Sequence, residues 1–222
     1  MLLVLSTTGL VIRSLGAEGY VLYASITSFL GFLALIDFGL GNSCRNALGD
    51  SYSQDKMAQY NETIKAIFIF SSVTSIFGLI ILNALFFSGY MAKVLSIYSY
   101  VNLDVVLALY LASSIFLISF IFKNVNIIYF TTNRSEHVQF ILMVGALFNF
   151  IFISFYAFLH IKDITSYVVT YVIISLSLYA FYFAKESREL GLDWFVTSIT
   201  KSSQVIRANI QNSMFYFILQ SS

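Results

Sequence analysis

Long apolar runs constrain this chain more than any other feature of its sequence. One run extends from Asp104 to Phe130, and after Asp104 its only charged residue is Lys123. A helix needs about 20 apolar residues to cross the hydrocarbon core of a bilayer, so this run can cross it with some tilt. Of all residues, 59% are hydrophobic and 10% charged, whereas soluble domains have roughly 45–50% and about 25%. The sequence therefore predicts an all-α integral membrane protein.

The apolar runs predict six helices within residues 1–184. The predicted helices cover about 1–12, 20–40, 64–87, 104–130, 138–159 and 165–184. Helix 1 looks truncated, because its residues span only about 18 Å of a hydrocarbon core about 30 Å thick. Met91, Val94, Leu95 and Tyr98 recur at helical spacing and predict a short interfacial helix in the loop 88–103.

After residue 184 the pattern changes from uniformly apolar to amphipathic. Leu192, Phe195, Val196 and Ile199 recur at helical spacing and are flanked by basic residues, which favours a helix lying in the headgroup layer. We therefore assign 185–210 to a linker on the cytoplasmic face. Residues 211–222 begin a seventh helix, at which a second lobe is expected to be cut short.

Basic residues orient the predicted helices. One side of the membrane receives three of them, namely Arg13, Lys93 and Lys162. The other side receives eight, namely Arg45, Lys56, Lys65, Arg134, Lys185, Arg188, Lys201 and Arg207. Because cytoplasmic loops are enriched in Lys and Arg, the second side is predicted to be cytoplasmic, together with the loop 41–63 and the linker 185–210.

A motif surrounds the second predicted helix. It consists of a glycine turn, an apolar run and a glycine-rich exit, and its residues are Arg13, Leu15, Gly16, Tyr23, Asp37, Phe38, Gly39, Gly41, Arg45 and Leu48. This stretch resembles the beginning of bacterial O-antigen and polysaccharide flippases of the multidrug/oligosaccharidyl-lipid/polysaccharide exporter superfamily. The resemblance implies a MATE-like transporter with two six-helix lobes, of which this chain provides the N-terminal one.

The resemblance also implies a function and partners. Flippases of this kind move oligosaccharide repeat units linked to undecaprenyl pyrophosphate from the cytoplasmic to the periplasmic leaflet of the inner membrane. Alternating access between the two lobes would carry the glycan through a wet lumen. Membrane lipid and other polysaccharide-assembly membrane proteins would be the further partners, and no cofactor is implied. The net charge of +1 argues against a nucleic-acid partner.

Polar residues inside the predicted helices are the candidates for a substrate path. Lys123, Ser119 and Asn126 share one face of the run 104–130, and such groups usually face a bundle interior or a wet cavity. Their stripe could attract a pyrophosphate, or Lys123 could instead extend its ammonium to the cytoplasmic headgroups. Asp37 is a second candidate, although it could equally be an acid at a wetted helix end. Asn149 is a third, although it could equally serve helix packing.

Other functions remain open at this point. His137 and His160 fall in opposite predicted loops, so they are not expected to share a metal ion. A membrane-embedded polysaccharide polymerase would require a large external loop rich in Arg and His, whereas the largest such loop, 88–103, contains one Lys. The sequence is also compatible with a drug exporter, a peptidoglycan-precursor flippase or a non-functional fragment.

Overall fold

The protein is a multi-pass, all-α membrane protein, as predicted. The computed structural model describes residues 2–33, 40–54, 56–95 and 103–191, and within these ranges it contains no β-strand. The helices of this part are α1 (Leu2–Leu33), α2 (Leu40–Ser53), α3 (Met57–Phe87), α4 (Tyr90–Leu95), α5 (Leu103–Phe122), α6 (Val125–Thr131), α7 (Ser135–Phe158) and α8 (Ile164–Glu189). By length and composition, four stretches of it can cross a membrane, namely α3, α5 with α6, α7 and α8.

Helix α1 covers the first predicted helix, the glycine turn and most of the second predicted helix. Its backbone leaves the helical conformation at Gly16, whose φ of 77° and ψ of 177° are accessible essentially to glycine alone. The turn expected over residues 13–19 is therefore reduced to a kink at one residue. Arg13 and Gly19 are helical, because Gly16 absorbs the whole change of direction.

The polar segment 41–63, expected to be a loop, is mostly helical. α2 occupies its first part, and α3 begins at Met57 rather than at residue 64. The connection is closed by backbone hydrogen bonds: Lys56 donates to Ser51 at 2.9 Å, and Tyr60 donates to Lys56 at 3.0 Å. Hydropathy indicates which segments lie in the bilayer, but it does not indicate whether a polar segment is helical. The hydropathy pattern therefore did not distinguish a polar helix from a loop.

The last helix of the described part, α8, is longer than predicted. α8 continues to Glu189, five residues into the segment 185–210 that was expected to be a linker. Its last turns carry Lys185, Glu186 and Arg188. The end of the predicted second helix, the linker after residue 191 and the predicted seventh helix lie outside the described residues.

The fold divides into two compact units. Unit 1 is Met1–Leu33, Phe77–Ser119 and Phe140–Leu178, and unit 2 is Ala34–Ile76, Phe120–Gln139 and Tyr179–Ser222. In unit 1, α1, α5 and α8 form a core of buried residues: Ile26, Leu30, Val105, Ala108, Ala112, Phe116, Ile164, Val168 and Val172. In unit 2, α2, α3 and α6 form a separate core: Leu48, Tyr60, Ile64, Ile67 and Ile128.

Membership of the units agrees with the grouping by charge. The described basic residues of unit 1 are the three that were assigned to one side of the membrane, Arg13, Lys93 and Lys162. The described basic residues of unit 2 are Arg45, Lys56, Lys65, Lys123, Arg134, Lys185 and Arg188. All segments predicted to share a side therefore belong to one unit, as far as they are described.

Candidate functional site

Lys123, the central candidate from the sequence, lies at an interruption of a membrane-spanning helix. Lys123 and Asn124 form a turn between α5 and α6, so the single helix expected over 104–130 is two segments. Beyond the turn, Asn126 and Ile127 donate their N–H groups to the carbonyls of Lys123 and Asn124, both at 3.0 Å. This three-residue spacing is that of a 3₁₀-helix, which in the middle of a helix often marks a functional position.

The side chain of Asn124 satisfies a backbone group at this interruption. Its Nδ2 donates to the Ile121 carbonyl at 2.8 Å and to the Ser71 hydroxyl of α3 at 2.9 Å. Ser71 is only 3% exposed. Because an unsatisfied backbone group in a bilayer costs roughly several kcal/mol, the amide compensates for the helical hydrogen bond that is lost. The interruption is thereby anchored to a neighbouring helix.

The ammonium of Lys123 is held against an aromatic ring. Its Nζ lies 5.8 Å from the ring centroid of Tyr179 on α8, and Tyr179 is buried at 6% exposure. At this distance the negative face of the ring attracts the cation. Contact with Tyr179 and partial burial keep the charge beside α8 within unit 2.

The other members of the predicted stripe have different surroundings. Ser119 is 1% exposed and donates its hydroxyl to the Phe116 carbonyl of its own helix at 2.7 Å. Ser119 belongs to unit 1, whereas Lys123 and Asn126 belong to unit 2. Within the described part of the chain, the buried Oδ1 of Asn126 has no hydrogen-bond partner. Asn126 therefore retains an acceptor that can bind a further donor.

Asn149 and the motif residues are distributed over both units. In unit 1, the side chain of Asn149 interacts with Tyr23, a motif residue on α1, and among the described residues its buried Oδ1 has no hydrogen-bond partner. Arg13 is exposed on α1, and Gly41 lies in α2. Asp37 and Gly39 fall outside the described residues.

Arg45, the last charged residue of the motif, lines a cleft in unit 2. The cleft has a volume of about 370 Å³ and is open to one side. Its walls come from α2 and from the end of α6 with the turn that follows: Arg45, Gly49, Asp50, Tyr52, Ser53, Phe130, Thr131 and Asn133. Asn133 has a φ of 56°, a left-handed conformation that asparagine tolerates better than most residues at a helix C-terminus. The cleft therefore combines both signs of charge, hydroxyls, an amide and aromatic rings.

A buried ion pair lies in the same unit. The Arg134 guanidinium donates to the Glu186 carboxylate at 2.5 Å, and the side chain of Glu186 is 1% exposed. Arg134 also lies 3.7 Å from the carboxylate of Glu189 and 5.4 Å from the ring centroid of Tyr129. The ring of Tyr129 stacks on His137 at 5.0 Å. These contacts join the start of α7 to the end of α8.

The electrostatics at Arg134 favour its charged form. Burial alone lowers the pKa of the guanidinium. The hydrogen bond that Arg134 donates to Glu186 and the charges of Glu186, Tyr129 and Glu189 outweigh burial, so the pKa is raised above its usual value. Arg134 therefore acts as a permanent cation that neutralises the buried Glu186.

Sequence reasoning missed the cleft walls and the ion pair. Tyr52, Thr131 and Asn133 lie in segments predicted to be loops or helix ends, and none of them belongs to the motif that extends from Arg13 to Leu48. Glu186 was placed in a linker. One sequence signal could have identified Glu186: it is an acidic residue in the last turns of an otherwise apolar helical pattern. An acid buried there requires a positively charged partner.

Comparison with known proteins gives two matches. No protein-family profile matches the chain. Over 81 residues the chain is 36% identical to a "Putative O-antigen export protein" of Yersinia pseudotuberculosis, and this part makes up 36% of the chain and 18% of that protein. A solved structure, the inward-facing conformation of a multidrug resistance MATE family transporter of the MOP superfamily, superposes with a TM-score of 0.65 at 14% identity. The superposition covers 97% of this chain and 50% of that transporter.

The chain has the fold of half a MATE-type transporter. It spans half the length of the solved transporter and aligns with less than a fifth of the O-antigen export protein. The sequence match to a protein named for O-antigen export and the fold of half a MATE-type transporter agree with the resemblance that the motif first indicated.

Proposed function

We propose that this chain forms one lobe of a flippase for lipid-linked oligosaccharide in the bacterial inner membrane. The observation that carries the proposal is the combination of a MATE-type half with sequence similarity to an O-antigen export protein. A glycan is too hydrophilic to cross lipid, and the polyprenyl chain stays in the bilayer. A transporter for such a molecule needs a polar path beside lipid, which two lobes moving against each other would supply.

Lys123 is the residue that we assign to the pyrophosphate of undecaprenyl-linked substrate. A charged side chain near the centre of a membrane helix costs about 2.5–3.5 kcal/mol on insertion scales, which favours a use for it. The turn at Lys123 and Asn124 and the contact with Tyr179 support this role, because they hold the cation within the membrane-spanning part. Asn126, one turn further on, would use its unpaired amide oxygen to accept a hydrogen bond from a sugar hydroxyl of the substrate, since the pyrophosphate itself has no donor.

Export in a strain that lacks its own flippase tests the proposal. The complete gene containing this segment should restore surface polysaccharide, measured by gel analysis of lipopolysaccharide. Lys123→Ala should abolish export, and Lys123→Arg should retain part of it because the charge remains. Lys93→Ala is the matched control, since Lys93 lies on α4 in unit 1 and outside the proposed path.

Two outcomes would contradict the proposal at different levels. If the wild-type gene is inserted in the membrane but restores no polysaccharide, the flippase assignment fails. If Lys123→Ala exports normally at equal protein level, Lys123 only extends to the headgroups, and the cation of the path has to be sought at another residue such as Arg45.

We propose that the polar segment 41–63 and the segment from residue 185 onward face the cytoplasm. With Lys123 left out because of its place in a membrane span, this orientation rests on six described basic residues of unit 2 against three in unit 1. Single cysteines at Gln54 and Ser88, in a Cys44→Ala background, can be labelled with a membrane-impermeant thiol reagent. In intact cells the cysteine at Ser88 should react and that at Gln54 should not. The opposite pattern would invert the topology.

A further inference from the structure

The cleft in unit 2 is a preorganised site. Its aromatic and polar walls are held by contacts among the lining residues and with a buried residue behind them. The Arg45 guanidinium carbon lies over the ring of Phe130, 4.4 Å from its centroid, so the charged group contacts an aromatic face. This contact positions the guanidinium of Arg45 at the cleft without engaging its N–H groups as hydrogen-bond donors.

Another part of the lining is fixed by a fully buried tyrosine of α3. Tyr60 is 0% exposed and shares a hydrogen bond of 3.0 Å with the Thr131 hydroxyl. The ring of Tyr52 packs against Tyr60 with 5.5 Å between centroids, while 41% of Tyr52 stays exposed. Tyr52 therefore presents a supported aromatic surface at the cleft.

The charges of the cleft favour a neutral polyhydroxylated ligand over an anion. Arg45 contributes one positive charge and Asp50 one negative charge to the same lining, and among the described residues the two make no ion pair with each other. A phosphate site would be expected to carry excess positive charge. A sugar instead offers hydroxyl donors to a carboxylate, hydroxyl acceptors to a guanidinium, and an apolar C–H face to an aromatic ring.

We propose that this cleft binds sugar units of the lipid-linked oligosaccharide. The inference rests on the proposed function and adds a second contact point, separate from the cation that would hold the pyrophosphate. Asp50, Arg45 and Asn133 supply the hydrogen bonds, and Tyr52 supplies the stacking surface. The volume of about 370 Å³ lies in the range of small-molecule pockets, roughly 300–1,000 Å³.

Binding of two lipid probes to the purified protein in nanodiscs tests the inference. One probe is undecaprenyl pyrophosphate carrying an oligosaccharide repeat unit, and the other is bare undecaprenyl pyrophosphate. Asp50→Asn and Tyr52→Ala should each weaken binding of the glycan-bearing probe by about tenfold, the loss of one or two hydrogen bonds or of a stacking contact. Neither variant should change binding of the bare probe. Asp104→Asn and Tyr90→Ala are the matched controls, since both residues are exposed and lie in unit 1.

Each remaining outcome overturns the inference. If the wild-type protein binds the glycan-bearing probe and both variants bind it equally well, the cleft is not a sugar site, while the flippase assignment stands. If both probes lose affinity equally in the variants, the cleft holds the pyrophosphate instead. If the wild-type protein binds neither probe, the proposed function fails and the sugar site fails with it. Because Asp50→Asn is isosteric, a folding defect of Tyr52→Ala leaves the test intact.

Discussion

Removing Arg134 from the Arg134–Glu186 pair should destabilise the protein more than removing Glu186. Glu186 is 1% exposed, so an Arg134→Gln substitution leaves a carboxylate buried without its cation. Breaking a buried pair from one side costs about 3–5 kcal/mol. Arg134 is 33% exposed and partly solvated, which places the expected loss near the lower end, about 3 kcal/mol.

Substitution of the other partner, Glu186, should lower the free energy of unfolding by less. In Glu186→Gln the amide keeps the shape of the side chain and can still accept a hydrogen bond from Arg134. The guanidinium left behind reaches water and the carboxylate of Glu189, which lies 3.7 Å away. The expected loss is about 1–2 kcal/mol, the difference between a charged and a neutral hydrogen bond. The double variant should lose less than the sum of the two single losses, because its members are directly coupled.

Lys185→Gln on the same helix is the matched control. Lys185 and Glu189 form an i,i+4 pair at 3.7 Å with side chains 48% and 49% exposed. Such a surface pair contributes at most about 0.5 kcal/mol, so this variant should be close to wild type.

Reversible unfolding in mixed micelles of dodecylmaltoside and SDS, followed by helical circular dichroism, gives the free energies needed. The reasoning would be refuted if Arg134→Gln were no more destabilising than Lys185→Gln. It would also be refuted if Glu186→Gln cost more than Arg134→Gln, because burial of an unpaired carboxylate would then not be the dominant effect.

Three further predictions can be checked in the same unfolding assay. Gly16→Ala should lower the free energy of unfolding by about 1–3 kcal/mol through backbone strain alone, because nothing lies within 4 Å of an added Cβ. Gly31→Ala is the control: its added Cβ also meets open space, and without a positive φ the substitution should be neutral or stabilising. Equal effects of the two substitutions would contradict the kink at Gly16. Asn124→Ala should lose about 1–3 kcal/mol by leaving the Ile121 carbonyl unsatisfied, and a neutral result would mean that water replaces the amide. Burial raises the pKa of Asp163, but hydrogen bonds from the first turn of α8 lower it more, to below its usual value. The ionised carboxylate stabilises the fold above the unfolded pKa of about 3.9, and this stabilisation disappears as pH falls through the folded pKa. Asp163→Ala should therefore lower the free energy of unfolding by about 1 kcal/mol at neutral pH and by less in acid. A loss that does not depend on pH would argue against a role for the ionised Asp163 carboxylate at the start of α8.

Much of the fold could be predicted because lipid imposes a simple rule on sequence. Every membrane-spanning backbone must satisfy its own hydrogen bonds, so long apolar runs become helices. The predicted helices 138–159 and 165–184 correspond to α7 and α8, with ends shifted by a few residues. The kink at Gly16 was expected as a turn, since a glycine between two helical patterns commonly marks one.

The interruption at Lys123 could not be predicted in the same way. Hydropathy is high on both sides of it, and Asn124 is an ordinary polar residue in the sequence. What stabilises the turn is a hydrogen bond from Asn124 to Ser71, 53 positions earlier in the chain. A local pattern contains no information about such a contact, so the run 104–130 resembled one continuous helix.

The sequence by itself determined the class of protein, the four apolar stretches able to cross a membrane and the motif that resembles polysaccharide flippases, because these depend on composition and local spacing. Only the tertiary structure decided which polar side chains meet. Arg134 reaches Glu186 across 52 positions, and the cleft joins α2 to the end of α6, two segments about 80 positions apart. Desolvation and charge pairing act between groups brought together by packing, and for that reason the ion pair and the proposed sugar site became visible only in the folded chain.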